Sequence, residues 1–422
     1  MKCLKLSIDK TSMDRVLERK EEGEIALSKL LKAKEKDMVG WLRLPKNIKD
    51  SDIKKIDNIA KEIRKNAKVL IVIGIGGSYL GAKAGVDFLS DYYKKEEDLE
   101  VVFVGNGLSE KYLYETAKYI EDKDFYINVI SKSGGTLEPA VAFRYFRNIA
   151  IERYGKDAKK RIIATTDKKK GILKELSDKC GYRTFVVPDD VGGRYSVLTP
   201  VGLIPIAAAG FDIQKIIKGA KDMMLDVTKN DIKKNEAMQY AILRNVLYRE
   251  GKDIEIFSTF KPNMRYFSEW LKQLFGESEC KENMGIFPAS LTFTADLHSM
   301  GQLMQEGKRN IFETFIDCED ECMKKLITIQ KSDTDDDKLN YVKGKTVNEL
   351  NIVAREATKK AHKTGDVPII DISFKTQNEE TLGALFYFFE MTCGISATIL
   401  GVNPFNQPGV EEYKKNIKET LR

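Results

Sequence analysis

The chain has 422 residues, 42% of them hydrophobic and 32% charged, the balance of a soluble globular protein with room for two domains and a substantial core. Its 70 basic and 64 acidic residues leave a net charge of +6, spread without a basic block or an RNA-binding aromatic motif, which sets nucleic acid aside and suits an anionic metabolite. No uninterrupted apolar run reaches the roughly 18 residues of a membrane span, and 1–10 holds no signal-peptide core, so no membrane partner is expected and the expected location is cytoplasmic.

Taken in order, 12–35 has helical spacing, with Val16, Leu17, Ile25, Leu27, Leu30 and Leu31 among many charges, and predicts one amphipathic helix packed on the body. A second helix is expected over 53–65. The apolar run Val69–Ile73 then opens an alternation. Strands are predicted at 69–73, 100–104, 125–130, 161–165 and 184–187, and helices at 79–89, 109–119, 139–153 and 169–179. Single helices between strands imply a parallel sheet covered on both faces. Helices follow at 199–209, 213–225 and 235–248. A second set has predicted strands at 253–258, 311–316, 325–329 and 368–374, with helices near 264–275, 297–305, 347–360 and 380–400. The organisation expected is a helical N-terminal extension (1–50), two α/β domains (51–210 and 211–401) and a C-terminal tail (402–422), with the break between the α/β units falling within 209–235.

Six cysteines (Cys3, Cys180, Cys280, Cys318, Cys322 and Cys393) include no C-x2-C pair, and two histidines cannot complete a usual zinc set. Cys318 and Cys322, separated by Glu-Asp-Glu, are the best metal candidate and fit a solvated turn better. Free thiols, no metal and no cofactor are expected. The acidic run 332–337 lacks the glycine and terminal glutamate of a calcium loop and is expected to be a solvated loop.

Several stretches bear on chemistry. Gly74-Ile75-Gly76-Gly77-Ser78 stands at a strand-to-helix turn, where amides and the helix dipole favour an anion; a plain tight turn would read the same way. Tyr79 replaces the third glycine of a dinucleotide fingerprint, and the lysine of a P-loop is absent. Ser131-Lys132-Ser133-Gly134-Gly135-Thr136 occupies the same kind of place and offers hydroxyls, amides and a lysine to a phosphate monoester, with a Ser/Thr helix cap as the alternative and Thr136 able to serve as both. Arg194, after two glycines, offers a guanidinium that cannot lose its proton to an oxyanion, or else pairs structurally with Asp189 or Asp190. Glu277 follows the apolar run 270–275, where a turn can present its carboxylate to a pocket. His298 is one of only two histidines and so a scarce carrier of protons near neutral pH. Against these stand a solvated loop carboxylate and an ordinary helix-start residue. Lys414, taken alone, reads as a surface charge.

In their order along the chain, Gly74–Gly81, Ser131–Thr136, Gly192–Ser196, Gly276–Lys281, Asp296–His298 and Phe405–Lys414 together resemble the glucose-6-phosphate isomerase (phosphoglucose isomerase) family, from Gly40 onward and in the compact length of its bacterial branch. The resemblance implies two sugar-isomerase (SIS) type doubly wound parallel-sheet domains with helical N- and C-terminal extensions. It implies that Glu277 moves a proton between C1 and C2 through an enediol, that His298 and Lys414 assist ring opening, and that Arg194 faces the enediolate. Ser131, Lys132, Ser133 and Thr136 would bind phosphate, Gly76, Gly77 and Ser78 would form the neighbouring sugar-binding turn, and Gln273 and Gln407 would line the pocket. A homodimer is implied, with His298 completing the partner's site. Cys280 departs from the glycine usual there, and its side chain is expected to bear on the placement of Glu277. The chemistry would interconvert glucose 6-phosphate and fructose 6-phosphate without metal or redox cofactor. Mannose 6-phosphate as a further substrate, and a sugar-phosphate sensor without catalysis, are the competing readings.

Overall fold

The computed structural model describes residues 4–34, 37–93, 95–319 and 327–421. It opens with a strand, β1 (Leu4–Ser7), where only helix was expected. Two helices follow, α1 (Lys10–Glu18) and α2 (Lys20–Lys32), then a short turn of helix, α3 (Leu44–Asn47), and α4 (Asp50–Asn66). The single helix expected over 12–35 is therefore two. Arg19 leaves helical geometry at φ −107°, ψ 16° and its amide closes back on Leu17 and Val16, so that each half turns its own apolar face inward.

The first sheet is built from β2 (Val69–Ile73), α5 (Leu80–Leu89), β3 (Glu100–Val104), α6 (Glu110–Tyr119), β4 (Phe125–Ile130), α7 (Leu137–Tyr154), the short α8 (Ala158–Arg161), β5 (Ile162–Thr166), α9 (Ile172–Cys180) and β6 (Arg183–Val186). Its five strands are parallel in the order β3-β2-β4-β5-β6, with Ile71 opposite Val102 and Ile127. Every residue of β2, β4 and β5 is buried, as strands covered on both faces require. The strand order reverses between β2 and β4. Outside their C-terminal ends lies the crevice where doubly wound sheets bind ligands.

Three helices, α10 (Pro200–Ala208), α11 (Ile213–Val227) and α12 (Glu236–Arg249), lead to the second sheet. This comprises β7 (Ile254–Thr259), α13 (Arg265–Glu279), β8 (Phe287–Thr292), α14 (Leu297–Glu306), β9 (Ile311–Cys318), α15 (Val347–Thr364) and β10 (Ile369–Phe374), followed by α16 (Glu379–Leu400) and α17 (Glu411–Thr420). Its order is β1-β10-β9-β7-β8, all parallel except that β1 runs antiparallel along β10 with Leu4 opposite Phe374. The N-terminal stretch thus closes an edge of the second sheet and is not helical throughout.

Two further expectations change. β8 carries Pro288, which lacks an amide hydrogen and is tolerated because the strand lies at a sheet edge; that proline and the absence of alternation hid it. Of the strand expected over 325–329, Lys325 and Leu326 lie outside the described residues, and Thr328 makes only an isolated bridge to Thr346. Cys322 and Cys3 also lie outside them, while Cys318 ends β9 with its buried thiol donating to the Lys375 carbonyl. The 332–337 run forms a loop closed by its own hydrogen bonds, among them the Asn340 amide to the Asp335 carboxylate.

One apolar core runs through α4, α5, α10, α11, α12, α13 and α16. By length and composition α16 could cross a membrane, but 89% of its apolar window is buried inside the protein, where it packs on α11, α12, α13 and α2. The two helices that follow the central strands, α5 and α13, pack directly on each other. That contact brings the crevice of the first sheet against the C-terminal half of α13.

Candidate active site

Helix α13 buries Phe267, Trp270, Leu271, Leu274 and Phe275, with Trp270 set edge-on against Phe386 at 4.9 Å between ring centroids. The helix does not stop at Gly276. It runs to Glu279, so Glu277 stands in the last helical turn and not in a turn beyond it. The reason is a buried ion network. Arg244 of α12 grips both oxygens of Glu279 through Nη1 and Nη2, donates through Nε to Glu255 of β7 at 2.7 Å, and donates to Ser396 of α16 at 2.7 Å. All of these side chains are buried, and the bidentate hold on Glu279 keeps the last turn wound.

On that turn Glu277 faces Gln273, one turn earlier, whose Nε2 donates to Glu277 Oε1 at 3.1 Å. Its other oxygen accepts from Arg194 Nη1 at 3.2 Å. The side chain remains 34% exposed, so the carboxylate is held by two partners in a group that is not closed off from solvent.

Arg194 is 2% exposed and uses all five of its donors. Nε donates to Ser278 Oγ at 2.7 Å, Nη1 to Glu277 and to Gln407 Oε1 at 2.9 Å, and Nη2 to the carbonyls of Pro404 and, at 3.1 Å, Asn406. Asp189 and Asp190 are not its partners. The guanidinium instead joins the first unit, the end of α13 and the 403–407 turn. The glycine turn lies against the same place: a Cβ on Gly77 would come within 2.1 Å of the Gly193 carbonyl oxygen, and one on Gly76, at φ +58°, within 2.9 Å of Gln273 Nε2. At Gly77 backbone can approach backbone only because the side chain is missing, and at Gly76 the positive φ favours glycine. Ser78 closes the turn with its amide on Ile75.

The second glycine-containing loop follows β4, across the crevice. Ser131 Oγ accepts from the Gly134 amide at 2.9 Å and Ser133 Oγ from the Gly135 amide at 3.2 Å. Thr136 occupies the N-cap of α7 yet makes no side-chain cap bond, which leaves its hydroxyl for another partner. A cavity of about 250 Å³ touches Ser131, Gly134 and Thr136. Lys132 is placed differently from the expectation. Its ammonium donates to the carbonyls of Pro188 (3.3 Å) and Asp189 (2.9 Å), holding the approach to Arg194.

Two of the expected residues are not brought to Glu277. His298 is exposed in the first turn of α14, with no side-chain hydrogen bond among the described residues. Lys414 lies exposed on α17, its ammonium 2.9 Å from Glu411 one turn earlier. The other histidine, His362, is buried with Nδ1 2.7 Å from Glu313 and belongs to the core of the second sheet. Cys280 adopts φ −78°, ψ 83°, which any residue can, and its thiol donates to the Ile286 carbonyl.

Ser278 and Lys281 join the site without having been expected there. Ser278 is fully buried and accepts from Arg194; Tyr195 Oη lies 3.2 Å from the same oxygen. Lys281 donates to the carbonyls of Ser278 at 3.0 Å and of Asn403, and burial, with the charge of Arg194 adding to it, brings its amine down to about 8. Both belong to the motif of Glu277, one and four residues on, and that spacing was their only signal in the sequence.

The two doubly wound units and the junction between them define an α/β protein whose site is assembled from both halves. A hypothetical protein from Thermus thermophilus has this fold with a TM-score of 0.89 over 99% of this chain and 100% of that one, at 22% identity. A glucose-6-phosphate isomerase from Chlamydia trachomatis superposes with a TM-score of 0.82 over 99% and 88%, at 18% identity. At these identities the likeness is one of fold. The family model described as Phosphoglucose isomerase matches residues 53–422. The glucose-6-phosphate isomerases of Staphylococcus haemolyticus (strain JCSC1435) and Lactobacillus helveticus (strain DPC 4571) are 51% identical over 383 residues and 52% over 385, in each case 90% of this chain and 86% of the relative. The chain belongs to the phosphoglucose isomerase family.

Proposed function

We propose that the chain interconverts glucose 6-phosphate and fructose 6-phosphate, the aldose–ketose isomerisation of glycolysis and gluconeogenesis, with Glu277 as the base. Family membership and the identity to glucose-6-phosphate isomerases support the reaction. The observation that carries the residue assignment is the carboxylate of Glu277, held at 3.1 Å by Gln273 and 3.2 Å by Arg194 in a side chain not closed off from solvent. An aldose and a ketose differ by one carbonyl position. A single fixed base can take the proton from C2 and return it to C1 through the shared enediol, a contribution of roughly 10²- to 10⁴-fold.

The cradle of Ser131, Ser133 and Thr136 would hold the phosphate, and the Gly76–Ser78 turn the sugar beside it. Arg194 has no spare donor, so its bond to Glu277, the longest of the five, is the one a substrate oxygen would take over as negative charge develops there. His298 and Lys414 would carry protons during ring opening. The exposed position of His298 on α14 suits a group lent to a second copy, so the working unit we propose is a homodimer, with Lys414 reaching the site by movement of α17. The two sheet-bearing units would meet near 210, with β1 assigned to the second, and the cytoplasm would be the working compartment.

The test is an assay coupling conversion of fructose 6-phosphate to glucose 6-phosphate, run with a chelator present. Wild-type protein should turn over, and Glu277→Gln should lose at least about 100-fold in kcat with KM changed by no more than a few-fold. A Glu277→Gln variant keeping more than about a tenth of the wild-type rate would remove Glu277 from the role.

A further inference from the structure

Lys281 stands two residues beyond α13, between the residues just described and a turn whose purpose they leave unexplained. Its backbone is locked. Lys281 and Met284 form an antiparallel bridge with hydrogen bonds in both directions (3.1 and 2.9 Å), closed by Glu282 at φ 55° and Asn283 at φ 61°. Two successive left-handed residues make the tightest hairpin turn. Glutamate is a poor occupant of that conformation, at a cost of about 1 kcal/mol. The hairpin aims Lys281 back at the helix end, where its ammonium donates to the Ser278 carbonyl at 3.0 Å and to the Asn403 carbonyl.

Asn403 begins the turn that holds Arg194 from the far side. Asn403 Oδ1 accepts from the Phe405 amide at 2.9 Å, and the carbonyls of Pro404 and Asn406 and the amide oxygen of Gln407 then accept three of the five bonds of Arg194. Phe405 anchors the middle of the turn, its ring 5.5 Å from Tyr195 and 6.2 Å from Trp41. At the Asn403 end, the tie to α13 runs through Lys281. The charge of Arg194 acts against that of Lys281, and the carboxylate of Glu277, bonded to Arg194, offsets it, with two backbone carbonyls accepting from Lys281.

We propose that Lys281 is a positioning residue, a clamp joining the end of α13 to the 403–407 turn, so that Glu277 and the oxygens around Arg194 keep one fixed geometry. Its kinetic consequence rests on the function proposed above; the clamp itself does not.

The experiment compares Lys281→Met, Lys281→Gln and Lys281→Arg in the full chain, with thermal unfolding to confirm that each is folded. Amide hydrogen exchange without substrate should quicken by about 10-fold or more over 403–407 in Lys281→Met and Lys281→Gln, while α16 stays protected. In the coupled assay kcat should fall by about 10- to 100-fold, with KM within about 3-fold of wild type, because a slightly displaced charge is costly to the reaction and nearly neutral to phosphate binding. Lys281→Arg, which keeps charge and donors, should recover most of both. Unchanged exchange over 403–407 in both neutral variants overturns the clamp. A risen KM at unchanged kcat overturns it in favour of a direct substrate contact. Quickened exchange with unaltered kinetics overturns the positioning role. A wild-type protein inactive on fructose 6-phosphate would sink the functional reading alone, since the exchange rates still decide the clamp.

Discussion

At the scale of single residues, the centre of this molecule is a saturated guanidinium. Arg194 places five donors on oxygens from two separate stretches of chain, 277–278 and 404–407, while only 2% exposed, which lysine cannot imitate with three donors on a point charge. Arg194→Lys should therefore lower kcat by about 10²- to 10³-fold, as loss of an aligned oxyanion donor does, and destabilise by about 1–3 kcal/mol through the acceptors left unpaired; steady-state rates and urea unfolding check the two. Asp317 offers a second test, away from the site. Burial pushes its carboxyl up to about 6, although the Phe260 amide and the charges of Arg355 and Lys359 pull the other way. A folded-state value above the unfolded one means that the folded protein binds more protons between about pH 4 and 6, so stability falls as pH rises through that window. Asp317→Asn keeps an acceptor for Phe260 and removes the ionisation. Its unfolding free energy should gain on the order of 2–3 kcal/mol on wild type between pH 4 and pH 7, measured by urea unfolding at both ends. An unchanged difference would mean that the carboxyl of Asp317 is not raised above its unfolded value in the folded protein.

At the scale of elements, α13 is where local preference and tertiary constraint meet. Its apolar spacing was plain in the sequence; its extension through Gly276 to Glu279 was not, because the cause is Arg244, which comes from another helix. Arg244→Ala would leave Glu255 and Glu279 buried without their cation, and should cost about 3–5 kcal/mol on chemical unfolding. Where the variant still folds, the fraying of the last turn should lower kcat as well. The strands of the first sheet were legible for a simple reason: β2, β4 and β5 are buried on both faces, so their sequences are continuous apolar runs. The edges of the second sheet were illegible for the complementary reason. β1 and β8 are short or interrupted by proline, and each is a strand only because a partner lies beside it.

At the scale of the whole molecule, two sheets that share the order of their first four parallel strands are linked by the packing of α5 on α13, and one apolar core joins them. A single chain assembles Arg194, Gln273, Glu277 and Gln407 and leaves His298 exposed elsewhere. If His298 serves a second copy, mixing inactive Glu277→Gln with inactive His298→Asn should restore about a quarter of wild-type activity after subunit exchange, since half of the random dimers are mixed and each has one intact site. Light scattering on the wild type should then show a dimer. Activity that never returns on mixing, in a protein whose subunits demonstrably exchange, would place the histidine within its own chain.

The sequence by itself determined the α/β alternation, the glycine turns and the residue types of the candidate site, because buried parallel strands and close backbone approach, and the chemistry proposed for the site, each demand particular side chains over a few consecutive positions. Tertiary structure alone decided which of those residues meet. The turn at 403–407 encloses an arginine some two hundred positions earlier, a strand at residue 4 completes a sheet near residue 370, and Lys132 holds carbonyls at 188 and 189. Hydrogen bonds and ion pairs between distant segments leave no periodic trace along a chain, so only the folded molecule discloses them.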